Sequence, residues 1–378
     1  MTVSYSLFHR QVIYALGCAL HGISPTELSD ADLGQILSAA GQMGVEAMVC
    51  SSLEKIGRLD AKGREILLSS IRRAVLFKSE LSRVCAALSD ANIRHARLKG
   101  AVIEDLYPSV GMRRMTDIDL LTSAESRSVV REVMLSLGYE ATEYGHGCHD
   151  VYMKAPVFNF EIHQTLFSST ESRVLAEYFD NALDRAASAE GSELRFSTED
   201  QYLYVKAHEY KHYTLGGIGI RGLVDTYVYN RAHADMDRNY LDRELSQIGI
   251  LDFERQSVTL AQKLLSPEGC RGFLRGELPL TDGESEMLRY YLGSGVFGNM
   301  QNKVDNMIAR EGGRFASLKY VFHRVFPPLE WYETYAPFYY KHRALIPFFV
   351  IKRGIVKVVR APGRIISELK KVKNSKRK

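Results

Sequence analysis

Cysteine is sparse in this chain and poorly placed for pairing. Cys18, Cys50, Cys85, Cys148 and Cys270 are scattered and odd in number, and no CxxC occurs. That argues against a disulfide framework and a structural zinc site, and it fits a reducing cytoplasm. Long apolar runs are missing too. The N-terminus MTVSYSLFHRQVIYALG lacks a basic lead and a continuous apolar stretch, so it does not read as a signal peptide. The run at 344–351 is far too short to span a bilayer. There is no internal repeat, and no low-complexity segment apart from the C-terminus. Acids are scarce at that end. Residues 351–378 carry eleven Lys and Arg against Glu368 alone, a charge of +10, so the remainder of this +4 chain is −6. Such a tail meets nucleic acid or an anionic membrane surface, or it stays a frayed, solvated end.

What is present is ordinary in bulk. The 378 residues are 46% hydrophobic and 25% charged, enough for two or three domains with real cores. Periodicity divides the chain. Residues 1–92 read as a helical region. Thr26 or Ser29 caps a helix carrying Leu33, Ile36 and Leu37. A second helix carries Ile66, Leu67, Ile71, Val75 and Leu76, then Leu81, Val84, Cys85 and Leu88, and ends at Asn92. Residues 93–170 read as a small mixed α/β unit. Its strands lie near 95–98, 117–121, 139–144, 151–154 and 158–163, with short helices at 101–107 and after Ser123. Residues 171–350 are helical again, with Ser197 or Thr198 as one cap, and the basic tail follows. The expected class is α+β, a small mixed sheet flanked by helical regions.

Chemistry concentrates in Arg113-Arg114-Met115-Thr116-Asp117-Ile118-Asp119-Leu120-Leu121. Side chains alternate along a strand, so Asp117 and Asp119 point one way and Ile118 points to the core. Adjacent acids repel unless a cation lies between them. Mg²⁺ is the natural one, a hard ion that takes carboxylate and phosphate oxygens. In Phe158-Asn159-Phe160-Glu161-Ile162-His163, Glu161 and His163 share a face and Phe160 and Ile162 share the other. If this strand lies beside the first, three carboxylates converge. Such a set holds metal ions for phosphoryl or nucleotidyl transfer, and one acid can take the proton of an attacking hydroxyl. Upstream, Leu98-Lys99-Gly100-Ala101 forms a glycine turn opening a helix, a place where backbone N–H groups favour phosphate. Lys99 and Arg113 add cations for a triphosphate.

These elements together resemble the nucleotidyltransferases of the DNA polymerase β superfamily. That family's glycine turn, acid-apolar-acid strand and third acid read here as Leu98-Lys99-Gly100-Ala101, Asp117-Ile118-Asp119-Leu120 and Phe160-Glu161-Ile162. More narrowly, the chain resembles a large, mostly uncharacterised bacterial nucleotidyltransferase family. Its further marks are matched by Leu106-Tyr107-Pro108, Gly111-Met112-Arg113 and Glu161-Ile162-His163. The likeness is dense over about 95–167 and looser to about 350, where Phe326-Pro327-Pro328, Tyr335 and Ile346-Pro347 resemble that family's C-terminal helices. It implies an enzyme that uses an NTP such as ATP with Mg²⁺ or Mn²⁺, and the cysteine usage places it in the cytoplasm. Asp117, Asp119 and Glu161 would be catalytic and bind metal. Lys99, Gly100, Ala101, Arg113 and His163 would contact nucleotide. Two departures stand out. Ala101 replaces a Gly or Ser and cannot offer a hydroxyl, and the third acid is Glu where Asp is more usual.

His208-Glu209-Tyr210-Lys211-His212 is a literal HExxH, which on a helix can bind zinc with Glu209 as base. Lys211 sits where zincins have an uncharged residue. The extended form, with a glycine and a third histidine, fails at Leu215 and Ile218. The resemblance implies instead a His/Lys helix beside the active site. Lys211 or His212 would touch phosphate, with His208 on the same face. Arg221 and Asp225 would pair or contact substrate. The aromatic run from Trp331 to Tyr340 reads as core for a helix pair rather than a base-stacking surface. The acceptor is left open among a protein hydroxyl, a small molecule or sugar, and an RNA end, the basic tail favouring a polyanion. The rival reading is a binding protein that holds nucleotide or RNA on an idle site.

Overall fold

The long helix Ala61–Asp90 is the brace on which the sheet is built. Asp60 caps it, accepting from the Gly63 N–H at 2.7 Å. Its buried side includes Leu67, Ala74, Phe77, Leu81, Val84 and Leu88, at helical spacing. Val75 and Leu76, expected on that side, are exposed, and Phe77 takes the inward place. The computed structural model describes residues 5–295, 298, 300–311, 315–360 and 362–375. The first four residues of the N-terminal region and the last three of the tail lie outside the described residues, as does residue 361.

Seven strands follow in chain order. They are β1 (His95–Arg97), β2 (Ile118–Thr122), β3 (Glu140–Glu143), β4 (His149–Lys154), β5 (Phe158–His163), β6 (Ala187–Glu190) and β7 (Glu193–Arg195). They form one mixed sheet in the order β3-β4-β5-β2-β1-β7-β6. The class is α+β, as the sequence predicts. β2 and β5 are adjacent and parallel, with Ile118 opposite Phe160 and Asp119 opposite Glu161. β1 runs antiparallel to β2, and β4 antiparallel to β5. The last two strands come from beyond residue 170 and extend the sheet through β1–β7 pairing. Every residue of β6 is exposed, so no hydrophobic alternation announces it.

The two faces of the sheet differ in chemistry. Ile118, Leu120, Phe160 and Ile162 pack under Ala61–Asp90 and the helix Arg127–Ser136 in one apolar core. The opposite face turns Asp119, Glu161 and His163 towards the helix Thr198–Leu215. Ser197 caps that helix, accepting from the Asp200 N–H. The N-terminal helices join a larger core with the helices after residue 198. There Asp32, rather than Thr26 or Ser29, is the cap, and Thr26–Leu28 form a separate 3₁₀ turn. The basic tail is helical in Ile346–Arg360 and Pro362–Ser375. Among the described residues, no helix is long and apolar enough to cross a membrane.

The brace also fixes the loop that carries the acids. Ser70 donates to the Gly111 carbonyl at 2.7 Å, and Arg73 donates to the carbonyls of Met115 and Thr116 at 2.7 and 3.2 Å. Glu80 accepts from Arg83, Tyr139 and Lys154, tying the helix to the far strands. Gly111 holds φ +83°, and a Cβ there would lie 2.8 Å from the Ile71 Cα. Gly111→Ala therefore meets backbone strain and backbone contact together. It should lower stability by about 2 kcal/mol or more, read as a fall in the urea midpoint.

Candidate active site

Lys99 enters the site from a strained turn. β1 ends at Arg97, and Lys99 takes φ +43° before the four-residue helix Gly100–Ile103. That backbone region disfavours side-chain-bearing residues, at a cost of about 1–3 kcal/mol. It aims the ammonium at β2. Lys99 Nζ donates to Asp119 Oδ1 at 2.6 Å. His163 Nε2 lies 3.0 Å from the same oxygen. Asp119 itself is buried. Burial alone would raise its pKa, but the Lys99 ammonium and the His163 bond hold the carboxyl well below the usual range. Burial likewise opposes the charge on Lys99, and Asp119 outweighs it and keeps the ammonium protonated.

Glu161 stands beside Asp119 because β2 and β5 pair in register. Burial, then the negative charge of Asp119, pushes its carboxyl up to about 7. Its nearest imidazoles are His149 and His163, each 3.8 Å away at Nε2. His149 faces His163 across the β4–β5 pair, their rings 4.9 Å apart. Their ligand atoms and that of Glu161 all lie within 4.8 Å of one another. Sequence reasoning missed His149, although the alternation of β4 against β5 places it there. Asp117 sits just ahead of β2 and accepts from the Thr116 hydroxyl at 3.1 Å. Asp117, Asp119, Glu161, His149 and His163 line one cleft of about 560 Å³. Among the described residues the metal-sized group in this cleft is His149, Glu161 and His163, a donor set that suits a divalent cation, with Asp117 and Asp119 on the same cleft.

The helix Thr198–Leu215 forms the facing wall. His208, Lys211 and His212 line the same cleft. His208 and His212 meet Nε2 to Nε2 at 3.1 Å, so one donates to the other. Burial, with nearby Lys211 and Lys99, pushes His212 down to about 3. Burial also lowers His208 strongly and takes His163 to about 4, so all three rings are neutral near pH 7. Lys211 leans to Glu171 at 3.5 Å. The zinc-protease reading of this helix finds no support. Glu209 is buried and bonded to Lys206, to Thr226 at 3.1 Å and to Tyr291 at 2.6 Å. Those are structural bonds inside the helical core. Among the described residues, no third ligand-type side chain joins His208 and His212 in a metal-sized group.

Other predicted residues hold the cleft in shape. Arg113 lines it, but its guanidinium is buried and bidentate to Asp225, at 2.8 and 3.0 Å. Tyr107 donates to the same carboxylate at 2.7 Å. The Asp225 pair therefore forms with Arg113, not with Arg221, which donates to the Arg114 carbonyl at 3.0 Å. Gly100 is small because Arg113 lies against it; a Cβ there would come 2.6 Å from Nη1. The N–H of Ala101 donates to Leu98 O, and those of Val102 and Ile103 to Lys99 O. These amides close the turn, and the Ala101 methyl packs on the apolar core. Of the turn residues expected to contact nucleotide, Lys99 and Gly100 line the cleft and Ala101 does not.

A second group of ligand-type side chains, Cys85, His95 and Glu193, lies under β1 and β7. Arg97 already occupies it as the cation, meeting Glu193 at 2.9 and 3.1 Å.

The raised Glu161 carboxyl has a stability consequence. Its folded pKa of about 7 lies above its ordinary 4.5, so the fold loses stability as pH rises through that window, and the loss is complete above it. Glu161→Gln removes the buried charge. In metal-free buffer it should raise the melting temperature at pH 8, by roughly 2–6 °C, and change it little at pH 4. An equal shift at both pH values would contradict this account.

Comparison with family models matches residues 29–266 to a model described as uncharacterised nucleotidyltransferase. Comparison with curated proteins and with solved structures finds no match. The matched span covers more than half of the chain and contains every acid, imidazole and lysine of the cleft just described. The chain belongs to this uncharacterised nucleotidyltransferase family.

Proposed function

We propose that the protein transfers an NMP from an NTP to a hydroxyl acceptor and releases pyrophosphate. The observation that carries this reading is the in-register pairing of Asp119 with Glu161, with Asp117 on the same cleft. Asp117, Asp119 and Glu161 would hold Mg²⁺ or Mn²⁺. The neighbouring His149 imidazole makes the set hospitable to Mn²⁺ as well. When bound, the metal supplies charge neutralisation at the α-phosphoryl group and a lowered pKa for the attacking hydroxyl.

The side chains account for the rest. Glu161 takes the acceptor proton. The acceptor oxygen bonds to the α-phosphorus as the bond to the pyrophosphate oxygen breaks. Lys99 turns from Asp119 to the phosphates. Lys211 and His212, across the cleft, steady the leaving pyrophosphate. Arg113 and Asp225 keep the glycine turn in place. His163 fixes Asp119 through its Nε2–H.

One observation favours the rival. The Lys99–Asp119 ion pair fills the seat of a cation, as in a protein that binds nucleotide without turning it over. The deciding experiment incubates the full chain with each labelled NTP, Mg²⁺ or Mn²⁺, and candidate protein, sugar and RNA acceptors. Wild type should transfer label and release pyrophosphate. Asp117→Ala and Asp119→Ala should each lose about a thousandfold or more in rate. Nucleotide binding without pyrophosphate release by wild type would establish the rival instead.

A further inference from the structure

Two helices near the C-terminus present apolar stripes to solvent. On Ala316–Val325, Leu318, Phe322 and Val325 recur at four- and three-residue spacing and so share one side. They are 65%, 57% and 47% exposed. On Ile346–Arg360, Phe348, Ile351 and Ile355 repeat the pattern at 70%, 61% and 60%. The inner side of this second helix is already covered. Val350 is buried, and Phe349 packs among the rings of Trp331, Tyr332 and Tyr339. The exposed stripe is thus an outer face, and contiguous exposed apolar side chains of this kind mark interaction surfaces.

Charge indicates what would cover it. Residues 315–378 carry fifteen Lys and Arg against Glu330, Glu333 and Glu368, a charge of +12 on a chain whose total is +4. Lys352 is exposed between Ile351 and Ile355, and Lys341, Arg343 and Arg360 flank the stripe, also exposed. A helix with bulky apolar side chains on one face and cations beside them suits the plane of an anionic bilayer.

We propose that this C-terminal region docks on an anionic lipid surface. Phe348, Ile351 and Ile355 enter the interface, and Lys352 and its neighbours meet the headgroups. A nucleic acid would use the cations but leaves the aliphatic side chains in water. A second copy of the chain would bring two strongly basic regions together. The proposal goes beyond nucleotidyl transfer and does not depend on it. It does bear on the cleft, because Tyr335 of the same region lines it. A docked protein would present its site to acceptors near the membrane.

The test is sedimentation of the full chain with vesicles of phosphatidylcholine alone or mixed equally with phosphatidylglycerol. Binding should require the anionic lipid and weaken with salt. Ile351→Asp/Ile355→Asp should weaken it by about tenfold or more while leaving the thermal melt unchanged, since both positions are exposed. Lys352→Glu should also weaken it and lessen its dependence on salt. Equal binding to both vesicles, or to neither, would overturn the proposal. So would binding to an oligoribonucleotide that survives Ile351→Asp/Ile355→Asp when vesicle binding is absent. Dimerisation through this face without lipid binding would overturn it too.

Discussion

Two carboxylates held side by side are the constraint to which the rest of the site answers. Parallel pairing of β2 with β5 leaves Asp119 and Glu161 on neighbouring strands and on the same face. In a buried setting their charges repel, and the protein resolves the conflict unequally. Asp119 receives Lys99 and His163 and stays ionised. Glu161 receives neither at bonding distance and binds its proton more readily. Two acids of similar chemistry thus differ in charge preference, Asp119 held ionised and Glu161 shifted towards its protonated form.

That inequality depends on rigidity. The brace Ala61–Asp90 grips the Gly111–Thr116 loop through Ser70 and Arg73, so Asp117 cannot drift from β2. Arg113 and Asp225 connect the same loop to the helix Arg221–Ala232, on the other side of the cleft. Lys206, Glu209, Thr226 and Tyr291 lock the wall helix into the larger core. Most charged residues of the region are therefore joined in fixed pairs. Those lining the cleft are acids, histidines, Lys99 and Lys211, with Arg113 and Arg221 at its wall.

The acids were legible because their signal is local. Alternation in Phe158–His163 puts Phe160 and Ile162 in the core and leaves Glu161 on the open face, and the same rule orders Ile118 and Asp119. Register across strands then follows from matching buried faces. The partnerships were not legible. Arg113 and Asp225 are 112 residues apart, and nothing near either one names the other. Lys99 looked like a phosphate ligand by type, and only the turn geometry reveals its seat beside Asp119. The exposed strand β6 carries no apolar pattern. The HExxH string misleads because a five-residue motif does not encode which way Glu209 points, and Lys206, one turn earlier, captures it.

The ion pair between Lys99 and Asp119 has one more implication. An ammonium tethered 2.6 Å from a carboxylate is a resident competitor for any arriving dication. It stays at high local concentration whatever the buffer contains. A free ion alone must evict it with no compensation for the displaced lysine. A triphosphate supplies that compensation by giving Lys99 another anion to hold. The two ligands would then assist each other, each making room for the other, and linkage makes the assistance equal in both directions. On the proposed function, such a pocket would stay shut to stray ions and open to the ion–nucleotide complex.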